Sequence, residues 1–371
     1  MLIRWLVVLA AIGALILCVL GAVVLHRHLL PMIGLLRSPS LAMPASLEKP
    51  RVVTGAGFLT KSEFLRDRRP GVISDISVQD AEIWFAGSLG ALVTDPAGAV
   101  RSSTPFEQPS ELVEMIDVEG DGIVEFLNRG GGWQDVFLLD HEGQVIWTYG
   151  GRPSVNGIAA GHLDGDGMLD FVAGFNGDGG VRRINRSAKP VWKESDGNVW
   201  HVEIVPKPDG TGGEIVHSNA RGEIKIRSAG GKLVACTRPR AYFSDFSLCP
   251  WPDRAGQNHL LSAEDDAIWL HTSRGVLVRR FDAPQTGELG EARGLPVVLP
   301  GDARAGLAVV VDFDLWDRSI LYLYDSRGGL RYQEILAGRG TSLVHLPAEA
   351  GEAFLLGGDG RVHLYKVAPA S

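Results

Sequence analysis

The sequence predicts an all-β chain: a seven-bladed β-propeller preceded by one N-terminal transmembrane helix. Three observations carry this. A turn–glycine–strand phrase recurs about every 45 residues, four short apolar runs fill each recurrence, and one uncharged stretch, Leu6–Leu25, stands ahead of them all.

The uncharged stretch comes first in the chain. Its 20 residues, at about 1.5 Å of rise each, span roughly the 30 Å of a bilayer's hydrocarbon. A cleavable signal peptide has a shorter apolar core followed at once by a small-residue site. Here the nearest such site, Ala42–Ala45, comes too late, so residues 1–30 read as an uncleaved signal anchor. Arg4 and the amine are nearly balanced by Arg27 and Arg37, and the short N-tail sets the orientation, with the rest of the chain extracytoplasmic. Residues 31–50 hold Pro31, Pro39, Pro44 and Pro50 and read as an extended linker.

The phrase appears around Gly98, Gly143, Ala188, Gly231, Gly275 and Gly328, at spacings of 45, 45, 43, 44 and 53. Residues 155–194 show a whole unit: GIAAGHL, DFVAGF, VRRIN and PVWKE, separated by turn clusters. Four strands per 40–50 residues is the signature of a propeller blade. Units start near 71, 110, 155, 197, 242, 294 and 341, which makes seven across residues 51–367. The last unit has only three strands, and residues 51–58 are expected to supply its fourth, closing the ring and removing an open edge.

Composition narrows the function. With 45% apolar and 22% charged residues the chain folds rather than staying disordered. A net charge of −8 leaves no basic footprint for nucleic acid. Cys236 and Cys249 lie in strand-like runs and either pair or stay as buried thiols. No nucleophile elbow, phosphate loop or His-Glu-x-x-His motif is present.

Two acidic loops stand between the first and second strands of blades two and three. One holds Asp117, Glu119, Asp121 and Glu125; the other holds Asp164, Asp166 and Asp170, with His162 at the first position. Oxygen ligands at alternate positions, glycines for the sharp turn and a closing carboxylate are what Ca²⁺ needs. Paired Asp-Gly turns opening two strands are the plainer alternative. With that spacing, each loop ending in an acid followed by Phe, the sequence resembles the FG-GAP/VCBS repeat family, whose propellers include the head of integrin α chains. The resemblance implies a propeller over residues 51–367, calcium in one or two blades, and binding or scaffolding more often than catalysis. The Gly–strand–Trp phrases also resemble quinoprotein blades, but the tryptophans in register are too few, and no adjacent cysteine pair exists.

Strand order puts the acidic loops on one face and the second-to-third-strand turns on the other. That second face collects Trp133, Arg152, Asp178, Asp265, Asp266, Trp316 and Arg339, the aromatic and charged groups of a ligand surface. The expected function is a membrane-anchored binding or scaffolding module for a protein or a glycan. The alternative is a polysaccharide lyase or hydrolase that uses the same face.

Overall fold

The computed structural model describes residues 43–371, apart from 56, 80, 131–134, 151–152, 240–242, 252–257, 265, 285–289, 348–350 and 369–371. The chain divides into two compact units, Met1–Pro44 and Ala45–Ser371. The expected membrane segment, residues 1–30, lies outside the described residues, among which no helix is long and apolar enough to cross a bilayer. Within the linker, Ala45–Leu47 forms a single 3₁₀ turn that buries Leu47.

The second unit is a seven-bladed propeller. Seven antiparallel sheets follow one another along the chain, their inner strands beginning at Ile73, Ser110, Val155, Val202, Ser247, Glu291 and Gly340. Inner strands of successive blades pack side by side, except that the third blade's meets the second strand of blade two, and the seventh packs against the first, closing a ring around a central channel. The middle strands, such as Val136–Leu139 and Gly306–Phe313, are buried throughout, because both sheet faces meet adjacent blades. Outer strands alternate, as in Val145–Tyr149. The core is therefore a series of slabs between blades, one joining Leu127 and Val136 to Phe171 and Phe175, another joining Val310 and Leu321 to Phe354.

The recurrent phrase has a packing cause. Asp140 Oδ1 accepts the N–H groups of Glu142 and Gln144, each at 2.9 Å, and Asp325 and Asn185 cap their own turns in the same way. Gly143 follows with φ of 81°, and a Cβ there would lie 2.3 Å from the Pro105 carbonyl oxygen of the preceding blade. The tryptophan that ends the phrase reaches the next blade. Trp147 meets the Phe171 ring edge-on at 5.2 Å, and Trp192 Nε1 donates to the Ala229 carbonyl at 2.7 Å.

Closure differs from the sequence expectation. Strand β1, Arg51–Thr54, adds a fifth strand to blade six, pairing Val52 with Glu334. Strand β2, Leu59–Arg66, supplies the fourth strand of blade seven, from Leu59 opposite Val367 to Arg66 opposite Arg361. The closing strand is thus 59–66 rather than 51–58, and one buried carboxylate fixes it there. Glu334 accepts Lys61 Nζ at 2.6 Å and the hydroxyls of Tyr332 and Tyr365 at 2.9 Å each, tying β2 to both blades. The cysteines do not pair: Cys236 is exposed, and Cys249 is buried with its thiol pushed up to about 12 by that burial.

Candidate functional site

The acidic loops are built as self-satisfied turns. Asp117 accepts the N–H groups of Gly120, Asp121 and Gly122 at 2.7, 3.1 and 2.8 Å, and these bonds, Gly122's foremost, lower its pKa. Asp121 accepts Ile123 N–H at 2.9 Å, while Glu119 turns away to Arg186 of the next blade. Glu125 is buried, and burial raises its pKa even though it accepts the Val118 N–H at 2.8 Å. In the third blade the space between Asp164 and Asp170 holds the guanidinium of Arg183, while Asp166 accepts Met168 N–H at 2.8 Å. Among the described residues, no three or more His, Cys, Asp or Glu side chains gather to hold a metal. In the third loop a protein cation, Arg183, already pairs with Asp164 and Asp170.

The expected ligand face is only partly free. Trp133, Arg152 and Asp265 lie outside the described residues. Asp178 is exposed on the turn of blade three, and Asp266 is exposed on that of blade five with φ of 54°, a left-handed geometry that Asp tolerates. Trp316 leans on the Phe313 ring at 5.5 Å. Arg339 is a strut rather than a reaching side chain: it donates to Asp312 Oδ2 at 3.0 and 2.6 Å, and Asp312 also accepts the Ser319 hydroxyl at 2.6 Å. This network joins blade six to blade seven.

The same face opens onto a cluster that sequence reasoning missed. His201 precedes the inner strand of blade four, Asp245 precedes that of blade five, and Glu291 begins that of blade six. The imidazole stands between two carboxylates, with Nδ1 at 2.9 Å from Asp245 and Nε2 at 3.1 Å from Glu203. Burial alone would lower the His201 pKa, but Asp245 and Glu203 outweigh it and hold the ring protonated up to about 10. Burial would likewise raise Asp245, but the imidazolium dominates and keeps it well below the usual carboxylate range. The Asp245 charge, then burial, pushes Glu291 up to about 7, so this carboxyl holds the proton that its neighbour cannot. Arg293, two residues on, lies 3.5 Å from Glu291.

These groups still reach channel water: Asp245 is 28% exposed, Glu203 25% and Arg293 25%. Burial also raises Asp75 and raises Glu114 strongly, the latter also feeling the charges of Glu203 and Asp75. The mouth therefore combines fixed charges of both signs with a carboxyl that titrates near neutrality. Such a set can bind a polar ligand or exchange a proton with one. Its sequence signal is a pair of polar residues two apart around a buried one, His201/Glu203 about Val202 and Glu291/Arg293 about Ala292.

Other polar features are structural. Asp196 binds Lys225, Arg227 and His217, all buried, and locks blade three to blade four. A cleft of about 720 Å³ on the opposite face, between blades four and five, is bridged by Arg274 and Glu214 at 2.9 Å.

No protein-family model matches the chain, and no curated protein matches it. Solved structures do. The chain is similar to streptogramin B lyase, with a TM-score of 0.58 and 12% identity over 84% of this chain and 100% of that one. It is also similar to BBS1N, solved in complex with ARL6DN, with a TM-score of 0.57 and 10% identity over 86% and 98%. The WD40 domain of Neurospora crassa Pan2 gives a TM-score of 0.53 and 11% identity over 85% and 97%. Identities this low show the seven-bladed fold alone. The FG-GAP/VCBS resemblance rests on the two acidic loops, without a family match behind it.

Proposed function

We propose that the chain is a membrane-anchored, extracytoplasmic propeller that binds a protein partner over the channel mouth. One observation carries this reading: His201, Glu203, Asp245, Glu291 and Arg293 converge from three blades on one water-reaching opening. A closed ring has no packing need for five charged or titratable groups there, and their mutual desolvation has a cost that binding can offset. Asp178, Asp266 and Trp316 form the rim of the same face. The anchor belongs to the proposal through the uncharged run Leu6–Leu25. The protein partner is supported by analogy with BBS1N, a propeller of like fold solved with ARL6DN. The reading needs no calcium.

The test is co-purification of the full chain from its own membranes. The pair Glu203→Gln and Arg293→Gln should lose a partner that wild type retains, while Asp121→Asn on the opposite face should keep it. Equal retention by all three would refute the placement. A second reading, an enzyme acting on polysaccharide, is favoured by the coupled carboxyls of Asp245 and Glu291, a proton donor beside a charged acceptor. It predicts turnover that Glu291→Gln abolishes, and a chain with no turnover on acidic or neutral glycans sets it aside.

A further inference from the structure

The third-blade loop carries the most specific chemistry outside the channel. Arg183 Nε and Nη2 donate to the two oxygens of Asp170, each at 2.8 Å, in the bidentate geometry that suits a guanidinium and a carboxylate. Nη2 also donates to Asp164 Oδ2 at 2.5 Å, and Nη1 donates to the Ala229 carbonyl of blade four at 3.2 Å. Four oxygens from the loop, the second strand and the next blade thus surround one positive group. The Arg183 bond is the foremost cause lowering the Asp164 pKa, while burial keeps Asp170 raised in spite of the arginine.

Blade two shows what the position looks like without the arginine. Arg183 stands opposite Val172 in its sheet, and Leu138 stands opposite Leu127 at the same register in blade two. The two loops share their turn and their closing acid; the third has His162 where the second has Asp117, and at this register it carries an arginine where blade two has Leu138. We propose that Arg183 is the resident cation of the third-blade loop, excluding divalent metal from Asp164, Asp166 and Asp170. Removing it exposes a divalent-cation site there.

The arrangement has a physical reason. A loop with three carboxylates repels itself unless something positive sits among them. A tethered guanidinium does this at any ion concentration, and its fourth bond fastens blade three to blade four. A bound metal would do so only while the metal lasts.

The test is Ca²⁺ binding by equilibrium dialysis on the full chain in detergent. Arg183→Leu, the residue of blade two, should bind one more Ca²⁺ per chain than wild type, and Asp166→Asn in that background should remove the gain. In wild type, Asp166→Asn should leave Ca²⁺ stoichiometry unchanged. No gain in a folded Arg183→Leu chain overturns the proposal, and so does a loss of bound Ca²⁺ on Asp166→Asn in wild type. Should the leucine variant not fold, Arg183→Met replaces it under the same two criteria, and the wild-type comparison stands independently.

Discussion

Replacing His201 by Gln removes the imidazolium that separates Asp245 from Glu203. The ring is about 10% exposed and bonded at both nitrogens, so its loss leaves two carboxylates facing each other beside Glu291. Breaking a buried charge pair costs about 3–5 kcal/mol, and discounting for the partly exposed partners leaves roughly 2–4 kcal/mol. Specific unfolding entropies near 2.1 cal/mol/K per residue, over Ala45–Ser371, convert this to a Tm drop of about 3–6 °C. The pH dependence follows from the directions of the shifts. His201 is raised from 6.5 to about 10, so its contribution is complete below pH 6.5 and fades as pH rises toward 10. Asp245 is lowered, so its contribution is present above its unfolded value of 3.8 and fades as pH falls further. The difference between wild type and variant should therefore be widest near pH 5–6.5 and narrow on both sides. Thermal melts by circular dichroism across pH 3.5–10 measure it. A Tm change under 1 °C, or a deficit that does not vary with pH, refutes the reasoning.

Three further outcomes are expected. Glu334→Ala strands two buried tyrosine hydroxyls and Lys61, and should cost about 3–4 kcal/mol in urea unfolding; a cost below 1 kcal/mol would mean the closure strand is held by backbone pairing alone. Ala188 has φ of 57° where five other phrases carry a left-handed glycine, so Ala188→Gly should stabilise by about 0.5–1 kcal/mol, and a loss of stability would show that its methyl packs usefully. The Glu291 carboxyl is raised from 4.5 to about 7, so the folded state holds its proton more tightly and stability declines as pH rises through that window. Glu291→Gln should flatten the fall in Tm between pH 4.5 and 7, and an unaltered slope would place the titration elsewhere.

Much of the fold is legible in the sequence because its signals are local. Each blade repeats an Asp or Asn cap, a turn glycine and a strand, and each of these answers to a contact within one blade or with the next. Inner strands begin at 73, 110, 155, 202, 247, 291 and 340, within about five residues of the starts that the repeat implies. The closing strand is misread for a physical reason. Val52 and Val53 look like strand residues and Thr60–Glu63 look like loop, yet an outer edge tolerates polar side chains, and the pairing there rests on partners some 300 residues away. The acidic loops are visible, but the arginine that fills one of them is not, since Arg183 enters from another strand. The channel mouth is least legible of all. His201 and Glu291 are ninety residues apart, and only ring closure brings them together.

The most direct measurement places a photo-cross-linking side chain at Asp178, on the rim of the channel-mouth face, and separately at Glu142, on the opposite face, in the full chain within its own membranes. A partner adduct should form from position 178 and disappear when Glu203→Gln and Arg293→Gln are added, with none from position 142. Adducts from position 142 alone, or from 178 regardless of the channel variants, would contradict the assignment of the mouth as the binding site.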